Sequence, residues 1–229
     1  MQRKPYVGAV IVAAGSGTRM GNVSKPLIML GGKTVIERVV DAFSACPSVD
    51  EIIVVCKNSA PFEHLIKSEK QLKFVGGGDT RSDSVSNGVN VLNKADIVCI
   101  HDCARPFITA EEIEALIKEA VKTGASCACT KVRDTIKYVS EEEKCCYTPK
   151  RENLIAVQTP QVFKRDIYLA SRAIALKDGL SSTDETTIAE HAGFKVSYIE
   201  TSELNIKLTD ANDVKIAKAI CFLNERSEI

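Results

Sequence analysis

The sequence predicts an α/β fold built on a mostly parallel, twisted sheet. Three observations carry that prediction. Short apolar runs alternate with amphipathic helical patterns from Val7 to Thr130. The first run, Val7 to Val12, empties directly into a glycine-rich loop. The alternation then breaks between Asp134 and Gln158, and resumes after Phe163. Strands separated by helices favour parallel pairing, because each helical crossover returns the chain in the same direction.

Taken in order, Val7–Ala13 reads as a strand. Lys33–Ala45 reads as a helix with Val35, Ile36, Val39, Val40 and Phe43 on one stripe. Ile52–Cys56 is a strand, Pro61–Ser68 a helix, and Leu72–Val75 a strand ending in Gly76-Gly77-Gly78. Ser82–Leu92 is a helix and Ile97–Ile100 a buried strand. Thr109–Lys122 is a helix opened by a capping box from Thr109 to Glu112, and Ala125–Thr130 is a strand. Between 134 and 158, strand-like pieces at Ile136–Val139 and Cys145–Tyr147 flank the acidic turn Ser140-Glu141-Glu142-Glu143. A β-hairpin arm is expected there. Such an arm projects unless something covers it, and a second copy of the chain is the expected cover. A helix from about Ala211 to Asn224 closes the chain. These elements amount to a Rossmann-like three-layer sandwich, one domain over 1–229, with a protruding arm at about 134–158.

Composition narrows the function classes. Thirty basic and 30 acidic residues give a formal net charge of zero, against a general nucleic-acid binder, whose affinity needs a basic field. A locally basic pocket for a small anion remains open. No apolar run approaches the ~20 residues of a membrane span. The six residues before Val7 leave no room for a signal peptide, so the expected location is the cytoplasm. The nine cysteines form no Cys-x-x-Cys pair. Cys56, Cys99, Cys127, Cys129 and Cys221 lie in or beside apolar runs and read as small hydrophobes rather than a disulfide framework or zinc site.

The loop after the first strand carries the chemistry. Residues 13–26 include Gly15, Gly17, Arg19 and Lys25. Glycines let backbone N–H groups approach phosphate oxygens, and the two cations add fixed positive charge. Two look-alikes fail. For a dinucleotide fingerprint the third glycine comes one residue late, at Gly21, and the second strand runs into Lys57 instead of an acid. For a P-loop ending in Gly32-Lys33-Thr34, Leu27 stands where the leading glycine belongs.

Further polar clusters follow later strands: Gly77, Gly78, Asp79, Arg81 and Ser84; His101, Asp102, Cys103, Ala104 and Arg105; Arg133, Asp134, Thr135 and Lys137; then Arg151, Thr159, Thr183, Asp184 and Lys207. Open α/β sheets bind ligands beyond the carboxyl ends of their strands. Taken singly, each cluster has a plainer reading. Gly76–Gly78 can be a turn, Ser84 and Thr183 helix caps, Asp102 and Arg105 a local ion pair, and Arg151 and Lys207 surface charges. His64 and His191 read as surface residues. In a strand, His101 points to the opposite face from Asp102, which disfavours it as a base.

With these residues in view, the chain resembles the 2-C-methyl-D-erythritol 4-phosphate cytidylyltransferase family of the non-mevalonate isoprenoid pathway, from about Gly8 to the last helix. The resemblance is carried by Ala13–Met20 with Lys25, by Gly77–Val85, by His101–Pro106, by Val132–Lys137, by Arg151, by Gln158–Gln161, by Thr183–Glu185 and by Asn205–Thr209. Two departures are Cys103, where the family often has Ala, and Pro26, where it often has Gln.

The resemblance implies transfer of CMP from CTP to 2-C-methyl-D-erythritol 4-phosphate, giving 4-diphosphocytidyl-2-C-methyl-D-erythritol and pyrophosphate, with Mg2+ as cofactor held mainly by CTP phosphates. It implies catalytic roles for Arg19, Lys25 and Lys207. It implies CTP contacts from Ala13, Ala14, Gly15, Gly17, Gly78, Asp79, Ser84 and Cys103. Asp102, Arg105, Thr135, Arg151, Thr159 and Thr183 are implied to face the polyol phosphate. Thr135 and Arg151 lie on the arm and, in the family, serve the partner's site of a homodimer. Two alternatives stand beside this reading: a cytidylyltransferase acting on ribitol or ribulose 5-phosphate, and a non-catalytic nucleotide-binding regulatory module. Cys103 reads as inert; the alternative is an exposed, reactive thiol whose pKa nearby cations lower.

Overall fold

The computed structural model describes residues 3–15, 24–140, 142 and 144–227. Eleven strands and seven helices follow one another along them. The first half runs β1 (Val7–Val12), β2 (Met29–Leu30), β3 (Lys33–Thr34), α1 (Val35–Ala45), β4 (Glu51–Cys56), α2 (Ala60–Glu63), β5 (Gln71–Gly76), α3 (Arg81–Val91) and β6 (Ile97–Asp102). The second half runs α4 (Ala110–Thr123), β7 (Ala125–Lys131), β8 (Tyr138–Ser140), β9 (Cys145–Tyr147), β10 (Ile155–Lys164), α5 (Arg165–Lys177), α6 (Glu185–His191), β11 (Ser197–Glu200) and α7 (Ala211–Ser227).

Seven strands form one sheet in the order β11-β7-β10-β6-β1-β4-β5. β1 pairs in parallel with both β4 and β6, β4 with β5, and β7 with β11. β10 alone runs against its neighbours β6 and β7. From β1 the chain winds outward to β4 and β5, then crosses back to β6 on the other side. The β1–β6 border is therefore a topological switch point, where two loops part and leave a crevice.

Two apolar clusters coat the sheet. One face packs Val35, Ile36, Val39, Val40 and Phe43 of α1 and Ile113, Leu116 and Ile117 of α4 against Ala9, Ile11, Ile52 and Val54, with Ala217 and Cys221 of α7. The other packs Val85 and Val89 of α3, Tyr168 and Ala175 of α5 and Ile188 of α6 against Val10, Ile53, Val55 and Ile100. Alternate residues of β1 and β4 serve opposite faces, as a pleated strand buried on both sides requires. The expected apolar stripe of α1 is fully buried, and the Thr109–Glu112 capping box of α4 is formed.

Several expectations are corrected. Helix α2 stops at Glu63 instead of reaching Ser68; only Phe62 and Ile66 anchor that segment, and two apolar side chains cannot hold a longer helix to the sheet. Lys33 and Thr34 do not begin α1. They close a β2–β3 ribbon through Gly31 and Gly32, whose φ values of +51° and +72° suit a tight hairpin turn. Thr34 then caps α1 with Glu37. The arm is shorter than 134–158: its hairpin is β8–β9, pairing Tyr138 with Tyr147. Ile155, Ala156 and Val157 instead pair with Lys131, Thr130 and Cys129 in the central sheet. Seven of the nine cysteines are buried.

Candidate active site

Four strand ends converge at the switch point. β1 ends at Val12, where Ala13 N donates to Val55 O at 2.7 Å. β5 ends at Gly76, and Gly77 N donates to Cys56 O. This brings Gly77 so close to Ala14 that an added Cβ would lie 2.6 Å from the Ala14 methyl. A Cβ on Gly78 would lie 2.5 Å from that of Asp83. Both glycines are therefore required by close approach of backbone to backbone. Gly15, by contrast, has open space where a Cβ would stand. The result is a cavity of about 650 Å³ lined by Val12–Gly15, Lys25, Gly76–Arg81, Ser84, Asp102–Ala104 and Lys207, with Pro26 and Lys57.

A second cavity, of about 480 Å³, adjoins it and is lined by Arg105, Gln158, Thr159, Gln161, Thr183 and Asp184 among others. Arg81, Asp102 and Lys207 line both. They form the shared wall, and it is an ion-pair chain. Lys207 Nζ lies 2.5 Å from Asp102 Oδ2. Arg81 Nε donates to Asp102 Oδ1 at 2.9 Å, and its Nη1 donates to both oxygens of Glu185 at 2.8 and 3.0 Å. Asp102 is 7% exposed and Glu185 1%, so each carboxylate must be paired to remain ionised. Burial alone would raise Asp102; Arg81 and Lys207 outweigh it and hold the carboxyl well below its usual range. Burial pushes Glu185 up, and Arg81 pulls it back only in part.

The lysines meet through the backbone. Lys25 Nζ donates to Leu208 O at 2.8 Å and Thr209 O at 3.2 Å. It is thereby fastened to the segment that carries Lys207, 182 positions further along the chain. Among the described residues, four cationic side chains line the first cavity, Lys25, Lys57, Arg81 and Lys207, against the two carboxylates Asp79 and Asp102. Such a surplus in a concave, partly dry site attracts a polyanion.

Asp102 is held from behind. Its N–H donates to Thr159 Oγ1 at 3.0 Å. His101 Nε2 lies 3.0 Å from the Arg105 carbonyl, which can only accept, so Nε2 carries the proton. Nδ1 then accepts the Thr159 hydroxyl at 3.2 Å. Complete burial depresses His101 to about 4. A neutral, fully hydrogen-bonded imidazole behind the strand is a brace and not a base. Arg105 Nη1 donates to Asn205 O, while Asn205 Nδ2 donates to Thr159 O and Gln158 Oε1. The buried Arg105 Nε has no hydrogen-bond partner among the described residues.

Comparison with known proteins decides the lineage. The IspD family model, described as 2-C-methyl-D-erythritol 4-phosphate cytidylyltransferase, matches residues 7–222. The chain belongs to this family. A Clostridium novyi protein of that name is 40% identical over 219 residues, covering 93% of this chain and 95% of its own. One from Clostridium acetobutylicum is 38% identical, covering 94% and 97%. Among solved structures, the 4-diphosphocytidyl-2C-methyl-D-erythritol synthase of Anaerococcus prevotii superposes with a TM-score of 0.87 at 28% identity, covering 95% of this chain and 96% of that one. The 2-C-methyl-D-erythritol 4-phosphate cytidylyltransferase of Thermus thermophilus gives 0.76 at 27%, covering 94% and 98%.

Against the residues that the family resemblance singles out, the geometry divides cleanly. Lys25, Lys207, Ala13, Ala14, Gly15, Gly78, Asp79, Ser84, Cys103 and Asp102 all line the first cavity. Arg105, Thr159 and Thr183 line the second, with Asp102 and Lys207. Thr135 and Arg151 line neither and are exposed on the chain that leads into and out of the arm. Arg19 and Gly17 lie outside the described residues.

Three local readings change. Asp102 does not pair with the Arg105 side chain; its charge partners are Arg81 and Lys207. Ser84 caps no helix: its Oγ accepts from Gly78 N and donates to Thr80 O, and the cap of α3 is Thr80. The cap of α6 is Asp184 rather than Thr183. The Cys103 thiol matches the inert reading. It is 1% exposed, and burial, with Asp102 beside it, drives its pKa up. Sequence reasoning assigned no role to Lys57, Arg81 or Glu185, although Arg81 and Glu185 stand inside the Gly77–Val85 and Thr183–Glu185 stretches that it quoted.

Proposed function

We propose that this enzyme transfers CMP from CTP to 2-C-methyl-D-erythritol 4-phosphate, with the nucleotide in the first cavity and the polyol phosphate in the second. The observation that carries the proposal is the shared wall: Lys207, Asp102 and Arg81 touch both cavities. A phosphate oxygen of the polyol attacks the α-phosphorus of CTP in line. One P–O bond forms, the bond to the β-phosphate breaks, and pyrophosphate leaves with the electron pair. The attacking monoester has a second pKa near ~6 and is already mostly dianionic at pH 7, so no side chain has to remove a proton. The barrier is charge repulsion between two anions, and fixed cations at their meeting point lower it. Lys25 and Lys207 are the described residues suited to that role, and Arg19 is the third by family resemblance.

Mg2+ would enter with CTP and offset charge on its phosphates. Of the carboxylates lining the first cavity, Asp102 has both oxygens in ion pairs and Asp79 is exposed. Phosphate oxygens and water would then be the ion's main ligands, as Mg2+ prefers. Gly78, Asp79, Ser84 and the Ala13–Gly15 backbone suit a small pyrimidine nucleotide, and Cys103 packs beneath it as an inert wall. Arg105, Thr159 and Thr183 face the polyol phosphate.

Thr135 and Arg151 reach neither cavity of their own chain, which supports a homodimer in which the arm completes the partner's second cavity. The arm's apolar exposure supports the same reading: Tyr138 is 67% exposed, Val139 64% and Tyr147 53%. No described helix is long and apolar enough to cross a membrane; a cytoplasmic location is part of the proposal.

Phosphorus NMR of the protein with MgCTP and either 2-C-methyl-D-erythritol 4-phosphate or ribitol 5-phosphate tests the reading. The expected result is a diphosphodiester pair plus pyrophosphate with the first acceptor. Product with ribitol 5-phosphate alone, or nucleotide binding without turnover, contradicts it.

A further inference from the structure

The second cavity is polar on almost every side. Among the described residues its lining is made of arginines, a lysine, carboxylates, glutamines and threonines, and one aliphatic side chain, Val157. That residue is 41% exposed although it sits in β10, opposite Cys129 of the central sheet. The pairing of β10 with β7 shifts register between Val157 and Gln161. Such an irregularity re-aims side chains next to a site. Here it leaves a valine facing a chamber whose other walls offer hydrogen bonds and charge.

The acceptor named above has a matching singularity. It is a polyol phosphate carrying hydroxyls, a dianion and a single methyl branch. Hydroxyls and phosphate can be met by the polar wall, but a methyl held against charged groups strands their hydration and gains nothing. We infer that Val157 is the specificity-determining contact for that branch: its isopropyl group covers the substrate's C-methyl and so favours a branched tetritol phosphate over its unbranched analogue. This rests on the function proposed above and assigns a residue to a discrimination that charge and hydrogen bonding cannot make.

The magnitude is modest. One methyl group in an apolar contact gives selectivity on the order of 10-fold, and a wall covering one side of it sits at the low end of that range. Threonine keeps the shape of valine and replaces a methyl with a hydroxyl. The test is kcat/KM for 2-C-methyl-D-erythritol 4-phosphate and for D-erythritol 4-phosphate, in wild type, Val157→Thr and Val157→Ala. Wild type should prefer the methylated acceptor about 10-fold. Both variants should reduce the preference to about twofold by losing rate on the methylated acceptor, with turnover of the unbranched one unchanged. The unbranched acceptor thus reports that the variants are folded and competent. A wild-type preference that persists in both variants overturns the assignment. Equal loss on both acceptors also overturns it, by showing that Val157 shapes the cavity or a subunit contact without reading the branch. A wild type that uses neither acceptor overturns the underlying function instead.

Discussion

Two regions of this molecule carry polar residues suited to the same reaction, and they are built in opposite ways. At the β1–β6 border, every charge on the shared wall is answered within the chain: Lys207 by Asp102, Asp102 by Arg81, Arg81 by Glu185. At the arm, Thr135 is exposed, and Arg151 spends one guanidinium nitrogen on the carbonyl of Arg133. The ion pairs near the arm, Lys131 with Glu200 and Arg133 with Glu203, are more than half exposed on both sides, where such pairs add little. The first region is a preorganised wall whose geometry is fixed before substrate arrives. The second offers exposed side chains, which the proposed homodimer would cover. Energy stored in the wall belongs to the monomer, while the role proposed for the arm would belong to an assembly.

The sharpest way to break the comparison is to remove Arg81. Arg81→Met strands the buried Glu185 and leaves the buried Asp102 with Lys207 alone. The expected cost is about 3–5 kcal/mol in stability, the range for breaking one partner out of a buried ion pair. Urea unfolding measures it, and a loss under 1 kcal/mol would mean that the wall is wetter and looser than described. The next effect concerns His101. Its folded pKa, about 4, lies below the ordinary 6.5, so the unfolded chain takes up a proton first as pH falls. Its contribution is therefore whole above pH 6.5 and is lost progressively down to about 4, amounting to about 3 kcal/mol. Wild type and His101→Asn compared by urea unfolding from pH 7 to 4 should differ in slope over that window. Parallel slopes would mean that His101 is solvated.

The smallest effect should come from the arm, and it should be transferable between chains. Arg151→Ala removes one charge-assisted hydrogen bond to a phosphate, about 1.5–3 kcal/mol of substrate binding. Mixing refolded Arg151→Ala with Lys25→Ala subunits should recover about a quarter of wild-type activity, because half of randomly formed dimers hold one intact composite site. Activity no greater than the sum of the two variants would assign Arg151 to its own chain.

The contrast also explains what could be read in advance. The fold was legible because both faces of its strands are covered: Val7–Val12, Ile52–Cys56 and Ile97–Ile100 are unbroken apolar runs, and α1 and α4 show helical stripes. The first cavity was legible because a glycine-rich loop after a strand has few other uses. What stayed hidden were partnerships across long sequence separations. Arg81 and Glu185 are 104 positions apart, and nothing local marks them as a pair. Asp102 and Arg105, three apart, looked like partners, yet their charges are turned to other elements. The start of β10 falls inside the expected arm because Asp134 to Gln158 shows no helical period, and its pairing with β7 is a long-range contact that the local sequence does not mark.

The central claim is that distant cations converge between two anions and lower the barrier by position alone. It is tested most directly by single-turnover release of pyrophosphate from MgCTP and 2-C-methyl-D-erythritol 4-phosphate, both saturating, in Lys25→Ala. The account predicts a rate lower by about 10²–10³, equivalent to about 3–4 kcal/mol, in a protein that unfolds at the wild-type urea midpoint. A rate within twofold of wild type would contradict it.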